Sequence, residues 1–121
     1  MKAAEMIKKV ITMLGYTDGS GSITESPQMK LKAMSALNAI YADLFYVSGA
    51  NGTYAPIATS ESVIELPERI INDIMPYGVA AMLAQSENDG DSQQYYIMLY
   101  NSKRAAINRS GTVEDKIPNP E

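Results

Sequence analysis

The stretch from Leu66 to Ala106, LPERIINDIMPYGVAAMLAQSENDGDSQQYYIMLYNSKRAA, decides the fold. Leu66-Pro67 opens a helix with proline in its first turn, and Ile70, Ile71, Ile74, Met75, Val79, Met82 and Leu83 recur along it as a buried side. Pro76 falls inside that run and is expected to kink it, because proline lacks the backbone donor and clashes one turn back. Gly78, Ala80, Ala81 and Ala84 keep the second half narrow, so another helix can approach closely. Asn88-Asp89-Gly90-Asp91 reads as a turn, with Asp91 or Ser92 placed to cap the next helix. That last helix carries Tyr95, Tyr96, Ile97, Leu99 and Tyr100, then Ala105, Ala106 and Ile107.

Upstream, two more helices are legible. The first runs from about Ala3 to Leu14, with Ala3, Met6, Ile7, Val10, Ile11 and Leu14 at helical spacing and Gly15 as its stop. Thr17 to Ser22 is a turn without apolar content. Ser26-Pro27 opens the second helix, a capping hydroxyl followed by proline, and its apolar stripe is read as Leu31, Met34, Leu37, Ile40, Tyr41, Leu44 and Phe45. Between residues 47 and 65 the pattern changes. Asn51-Gly52 is a type I′ hairpin signal, and Val47, Tyr54, Ile57, Val63 and Ile64 suit strands, so a β-hairpin or extended arm is expected there. It is longer than a bundle needs to turn a corner. The expected organisation is a mainly α, four-helix bundle-like domain over residues 1–110, followed by an extended tail over 111–121.

Composition narrows the chemistry. The 121 residues suit one domain with a single core, and at 45% hydrophobic and 20% charged they have a globular balance. Cysteine and histidine are both absent. That removes thiolate nucleophiles, disulfides, thiolate zinc sites, the usual neutral-pH base and any Ser-His-Asp triad. No catalytic residue, metal or cofactor is expected. No apolar run approaches a membrane span, and the Lys- and Glu-bearing N-terminus does not read as a signal peptide.

Ten basic against fourteen acidic residues give a net charge of −4, which disfavours non-specific nucleic-acid binding. The sign is unevenly spread. Lys2, Lys8, Lys9, Lys30 and Lys32 mark the first third, and Glu61 to Asp91 is acidic apart from Arg69. Lys103, Arg104 and Arg109 then restore positive charge. Such polarity suits identical copies meeting head to tail, a contact that makes a ring if its rotation closes.

Several motif readings fail on spacing. With Gly90 as a calcium-loop glycine, the earlier ligands fall on Gln85, Glu87 and Asp89, but the closing glutamate falls on Tyr96. Gly19-Ser20-Gly21 lacks both the preceding strand and the following lysine of a phosphate loop. Glu65 and Glu68 flank a helix start, where the dipole favours carboxylates. Eight tyrosines and eight methionines, with one phenylalanine and no tryptophan, are a surplus that suits a partner-binding surface. Tyr95 and Tyr96 point about 100° apart on a helix, so one of them projects outwards.

The same Leu66–Ala106 stretch resembles the head-tail connector, or adaptor, proteins of tailed bacteriophages and prophages. The likeness lies in Met75-Pro76-Tyr77-Gly78-Val79-Ala80, Leu83-Ala84-Gln85-Ser86-Glu87, the acidic turn Asp89-Gly90-Asp91, and Leu99-Tyr100-Asn101 with Lys103-Arg104. Upstream, the short helix, the long helix ending in Ile40-Tyr41-Ala42-Asp43-Leu44 and the arm follow the same order. The resemblance implies a structural virion protein that forms a homo-oligomeric ring beneath the portal protein at the head-tail junction. It would be assembled in the bacterial cytoplasm, extend the DNA channel without sequence-specific binding, and dock a downstream tail or stopper protein.

The resemblance carries no fixed contact residues, so exposure arguments place them. The subunit contact is expected at Tyr95, Tyr96, Asn101 and Arg104, facing Glu68 and Asp73 of the next copy. The portal or tail contact is expected at Gly49, Asn51, Gly52 and Tyr54 of the arm and at Ile117, Pro118 and Pro120 of the tail. A small helical regulatory or protein-interaction module is the alternative reading; it lacks a helix with a concentrated basic face.

Overall fold

A computed structural model describes residues 1–16, 26–49 and 52–107. The described residues are mainly helical, in five segments: α1 (Ala3–Leu14), α2 (Pro27–Val47), α3 (Glu68–Asp73), α4 (Met75–Ser86) and α5 (Gly90–Arg104). Helix α1 ends at Gly15, whose φ of 75° is the left-handed conformation that closes a helix. Helix α2 begins at Ser26, whose hydroxyl accepts the Met29 amide at 3.1 Å, with Pro27 in the first turn. Its buried face is Met29, Ala33, Ala36, Leu37, Ile40, Tyr41, Leu44 and Phe45. Leu31, expected in that stripe, is exposed instead.

The helix expected from Leu66 onwards is two helices. It stops at Asp73, bends at Ile74 (φ −120°, ψ −53°) and restarts at Met75. Pro76 therefore sits in the first turn of α4, where a missing donor leaves no intrahelical bond unmade. The kink expected from an interior proline is replaced by a break just before it.

Helix α4 is the centre of the fold. Eight of its twelve residues are buried, among them Gly78, Val79, Ala80, Leu83 and Ala84, and it packs against each of the other four helices. At Gly78 the neighbours come so close that a Cβ built there would lie 2.7 Å from two Tyr100 ring carbons and 2.9 Å from Ile40 Cδ1. At the other end of α4, Glu87 pairs with Lys32 at 3.1 Å. Helix α2 is thus antiparallel to α4, and so is α5, which α4 reaches through a three-residue turn. Helices α2 and α5 consequently run parallel on either side of it.

That turn is two caps placed back to back. Asn88 takes a positive φ of 56°, and the Asp89 and Asn88 amides donate back to the carbonyls of Ala84 (2.9 Å) and Gln85 (3.2 Å). The Asp89 carboxylate then accepts the Ser92 amide at 3.3 Å and opens α5. The cap is Asp89, two or three residues before the Asp91 or Ser92 expected from sequence.

Of the β-hairpin or extended arm expected between residues 47 and 65, no hairpin is formed among the described residues. Val47 ends α2, and an antiparallel bridge joins Val63 to Lys2. Asn51, half of the expected hairpin turn, lies outside the described residues, as do the Thr17–Ser22 turn and the 111–121 tail. Residues 53–66 instead form a strap laid on the helices. Ile57 and Ile64 are buried, and the Ser62 and Ser60 carbonyls accept the Ala3 and Ala4 amides at 2.9 and 2.8 Å, satisfying donors that the start of α1 leaves open. Asn38 pins the strap from α2. Its Oδ1 accepts the Ile57 amide at 2.7 Å and its Nδ2 donates to the Ile57 carbonyl at 3.1 Å. Asn38→Ala should cost about 2 kcal/mol, about 1 for each bond. Denaturant unfolding, with faster amide exchange confined to the strap, measures it; wild-type stability would mean Asn38 does not hold the strap.

Candidate interaction surface

Helix α5 has an inner side held by hydrogen bonds and ring contacts and an exposed, uncharged outer one. Inside, Tyr100 is buried against Gly78 and donates its hydroxyl to Asp43 of α2. Arg104, one turn later, grips the same carboxylate twice, Nε to Oδ2 at 2.7 Å and Nη2 to Oδ1 at 2.9 Å. The guanidinium holds the Asp43 carboxyl below its ordinary range, and burial together with that carboxylate pushes the Tyr100 phenol well up. Tyr96 donates to the Met13 carbonyl at 3.2 Å and stacks with Tyr77, their ring centres 6.2 Å apart; Lys103 lies over the Tyr77 ring. At its start, Asp89 accepts the Tyr16 hydroxyl at 2.9 Å. These contacts fix α5 to α1, α2 and α4.

Outside, the exposed residues from the second turn to the end of α5 and one beyond are Gln94, Tyr95, Met98, Asn101, Ser102 and Ala105. None carries a charge. Tyr95 and Met98, three apart and therefore neighbours on one face, are 61% and 65% exposed. The exposed positions of α1, by contrast, are Glu5, Lys8, Lys9 and Thr12. An exposed helical face with an aromatic ring, a methionine and no charge has the composition of an interface core.

The expected subunit-contact residues fall in two groups. Tyr95 and Asn101 lie on this uncharged face, and Tyr96 lies half-buried beside it. Arg104, expected to face Glu68 and Asp73 of a neighbouring copy, is engaged by Asp43 of its own chain. Asp73 lies 3.6 Å from Arg69 on α3, and Glu68 is exposed at the start of α3. Of the expected portal contacts, Gly49 and Gly52 are exposed with positive φ. Tyr54 is half-buried in an aromatic cluster and donates to the Asn38 carbonyl at 3.3 Å. Asn51, Ile117, Pro118 and Pro120 lie outside the described residues. Met98 was missed by the sequence reading; plotting the uncharged positions of the last helix on a wheel would have found it.

A cleft between α2 and α4 is lined by Lys32, Ser35, Ala36, Met82, Gln85 and Ser86, and its one ionisable group is already paired with Glu87. Among the described residues there is no cluster of carboxylates that could hold a metal ion, and no helix is long and apolar enough to cross a membrane. Comparison with protein-family models, curated proteins and solved structures finds nothing that matches the chain.

Proposed function

We propose that this protein is a connector subunit of a phage-like particle, forming a ring under the portal at the head-tail junction. The observation that carries its assembly is the exposed, uncharged outer face of α5, with Tyr95 and Met98 on it. A face on one outer helix that meets a different surface of the next copy is heterologous, and a heterologous contact makes a ring where its rotation closes. The portal as axial partner is supported by the resemblance of Leu66–Ala106 to connector proteins. Net charge supports the channel: at −4 the subunit offers DNA few phosphate contacts, so DNA would slide through rather than stick. The ring would then offer its far side to a tail or stopper protein.

Arg104 is a poor probe of this contact, because reversing its charge breaks the pair with Asp43. Tyr95 and Met98 are clean probes, since exposed substitutions usually change stability by no more than about 0.5 kcal/mol. Tyr95→Glu with Met98→Glu should leave thermal unfolding unchanged and abolish the ring that forms on the portal. Full-occupancy rings from this double variant would remove α5 from the subunit contact.

A further inference from the structure

The exposed face of α5 begins with a carboxylate. Asp91, Tyr95 and Met98 stand four and then three residues apart, so they share one face, with Asp91 in the first turn. Asp91 is exposed, has no ion pair among the described residues, and has no Lys or Arg within four positions. The outward surface is therefore a negative charge followed by an aromatic ring and a methionine.

A cleft between α1, α2 and the strap has the opposite character. It is lined by Ala4, Ile7, Lys30, Met34 and Ser60. Ile7 is buried and Ala4 and Met34 are half-buried, whereas Lys30 and Ser60 are exposed. Leu31, 73% exposed, lies three residues before Met34 and extends the apolar part outwards. Lys30 has no ion pair among the described residues and no acidic residue within four positions. At about 220 Å³ the cleft is smaller than the roughly 300 Å³ at which ligand pockets begin, so it suits a partner's side chains better than a small molecule.

Other clefts lack this match. Between α2 and α4, Lys32 is already held by Glu87. A cleft lined by Tyr16, Met29, Glu87 and Asp89 presents two carboxylates, which would repel Asp91. Along α1, Lys8 and Lys9 have Glu5 one turn away to offset their charge. The chain's own α5 is held in place by Tyr96, Tyr100 and Arg104, so the occupant of the Lys30 cleft is a second copy.

We propose that the α5 face of one copy seats on this cleft of the next, with Asp91 against Lys30 and with Tyr95 and Met98 on Ile7, Leu31 and Met34. The spacing agrees: Asp91 to Tyr95 and Lys30 to Met34 are both four residues, about 6 Å along a helix. The two surfaces differ, so the contact runs head to tail. The inference rests on α5 being the subunit contact and names the surface it meets.

Photocrosslinking tests it. Full chain with benzoylphenylalanine in place of Tyr95 is mixed with isotope-enriched chain, with and without a portal protein from the same genome. Crosslinks between copies should map to residues 4–7 and 30–34 by mass spectrometry. Asp91→Lys in the photoreactive chain, or Lys30→Glu in the enriched one, should lower their yield roughly tenfold, because like charges then meet. The two reversals together should restore it. Crosslinks to α3, to any other segment of the second copy or to the portal would overturn the seat, as would no crosslink between copies or a yield that ignores the reversals. Rings on the portal in those cases would leave the connector reading standing. Crosslinks at the cleft without rings would remove that reading and keep the seat.

Discussion

Gly78→Val should destabilise the protein by about 3 kcal/mol, the upper part of the usual range for overpacking a filled core. Glycine inside a helix costs up to about 1 kcal/mol relative to alanine, so α4 carries a penalty at its own centre. The space explains why. The Tyr100 ring occupies the place of the missing Cβ, and the ring cannot swing away without giving up its bond to Asp43. Ile40 Cδ1, on the other side, can yield more easily because it ends a flexible chain. A loss of this size corresponds to roughly 12 °C in thermal midpoint for a domain near this length. Gly90→Ala is the matched control, since nothing lies within 4 Å of a Cβ there. Equal midpoints for Gly78→Val and Gly90→Ala would mean that α4 and α5 do not pack as described.

Asp43→Ala should cost about 2 kcal/mol at neutral pH, because it removes charge-assisted bonds and leaves the Tyr100 hydroxyl buried without its acceptor. The figure is held below the range for fully buried ion pairs, since the Arg104 and Asp43 side chains are 38% and 35% exposed and solvent screens them. The pH dependence has a definite sign. The Asp43 carboxyl is shifted down from its ordinary 3.8, chiefly by the Arg104 hydrogen bond and further by Tyr100. Its contribution is therefore complete above that ordinary value and disappears as pH falls through the lower folded one. Stability of wild type minus that of Asp43→Ala, followed by urea unfolding from pH 7 to pH 2, should stay flat and then shrink below about pH 4. A difference that grows in acid would contradict the pairing.

The helix ends were readable because they rest on local chemistry. Gly15 stops α1 and Ser26-Pro27 starts α2 by interactions within a few residues, so the sequence carries them in full. Leu31 was misplaced by geometry. A stripe that advances three residues at a time falls about 60° short of a full turn at each step, so Leu31 and Ile40 end on opposite sides of α2. Pro76 was read as a kink because its effect on the preceding turn is local, whereas the break at Ile74 depends on how α3 and α4 each pack. Residues 47–65 were read as a hairpin or extended arm because Asn51-Gly52 signals a turn and Val47, Tyr54, Ile57, Val63 and Ile64 suit strands; the partners of the strap are Lys2, Met1 and Asn38, far away in sequence.

The candidate interaction surface was legible in part for the same reason. That one of Tyr95 and Tyr96 must project outwards follows from helix geometry, and it is Tyr95. That Arg104 is held by its own chain could not be read, since Asp43 is 61 residues away and nothing local links them. Charge along the sequence shows where opposite signs lie, but it does not tell an intrachain pair from a contact between copies.

The measurement that bears most directly on the connector reading is electron microscopy of this protein mixed with the partner that reading assigns to it, a portal protein from the same genome. Particle averages should show an added ring of density at the narrow end of the portal, absent when the Tyr95→Glu, Met98→Glu variant replaces the wild type. Portal particles without added density, with this protein folded and in excess, would contradict it.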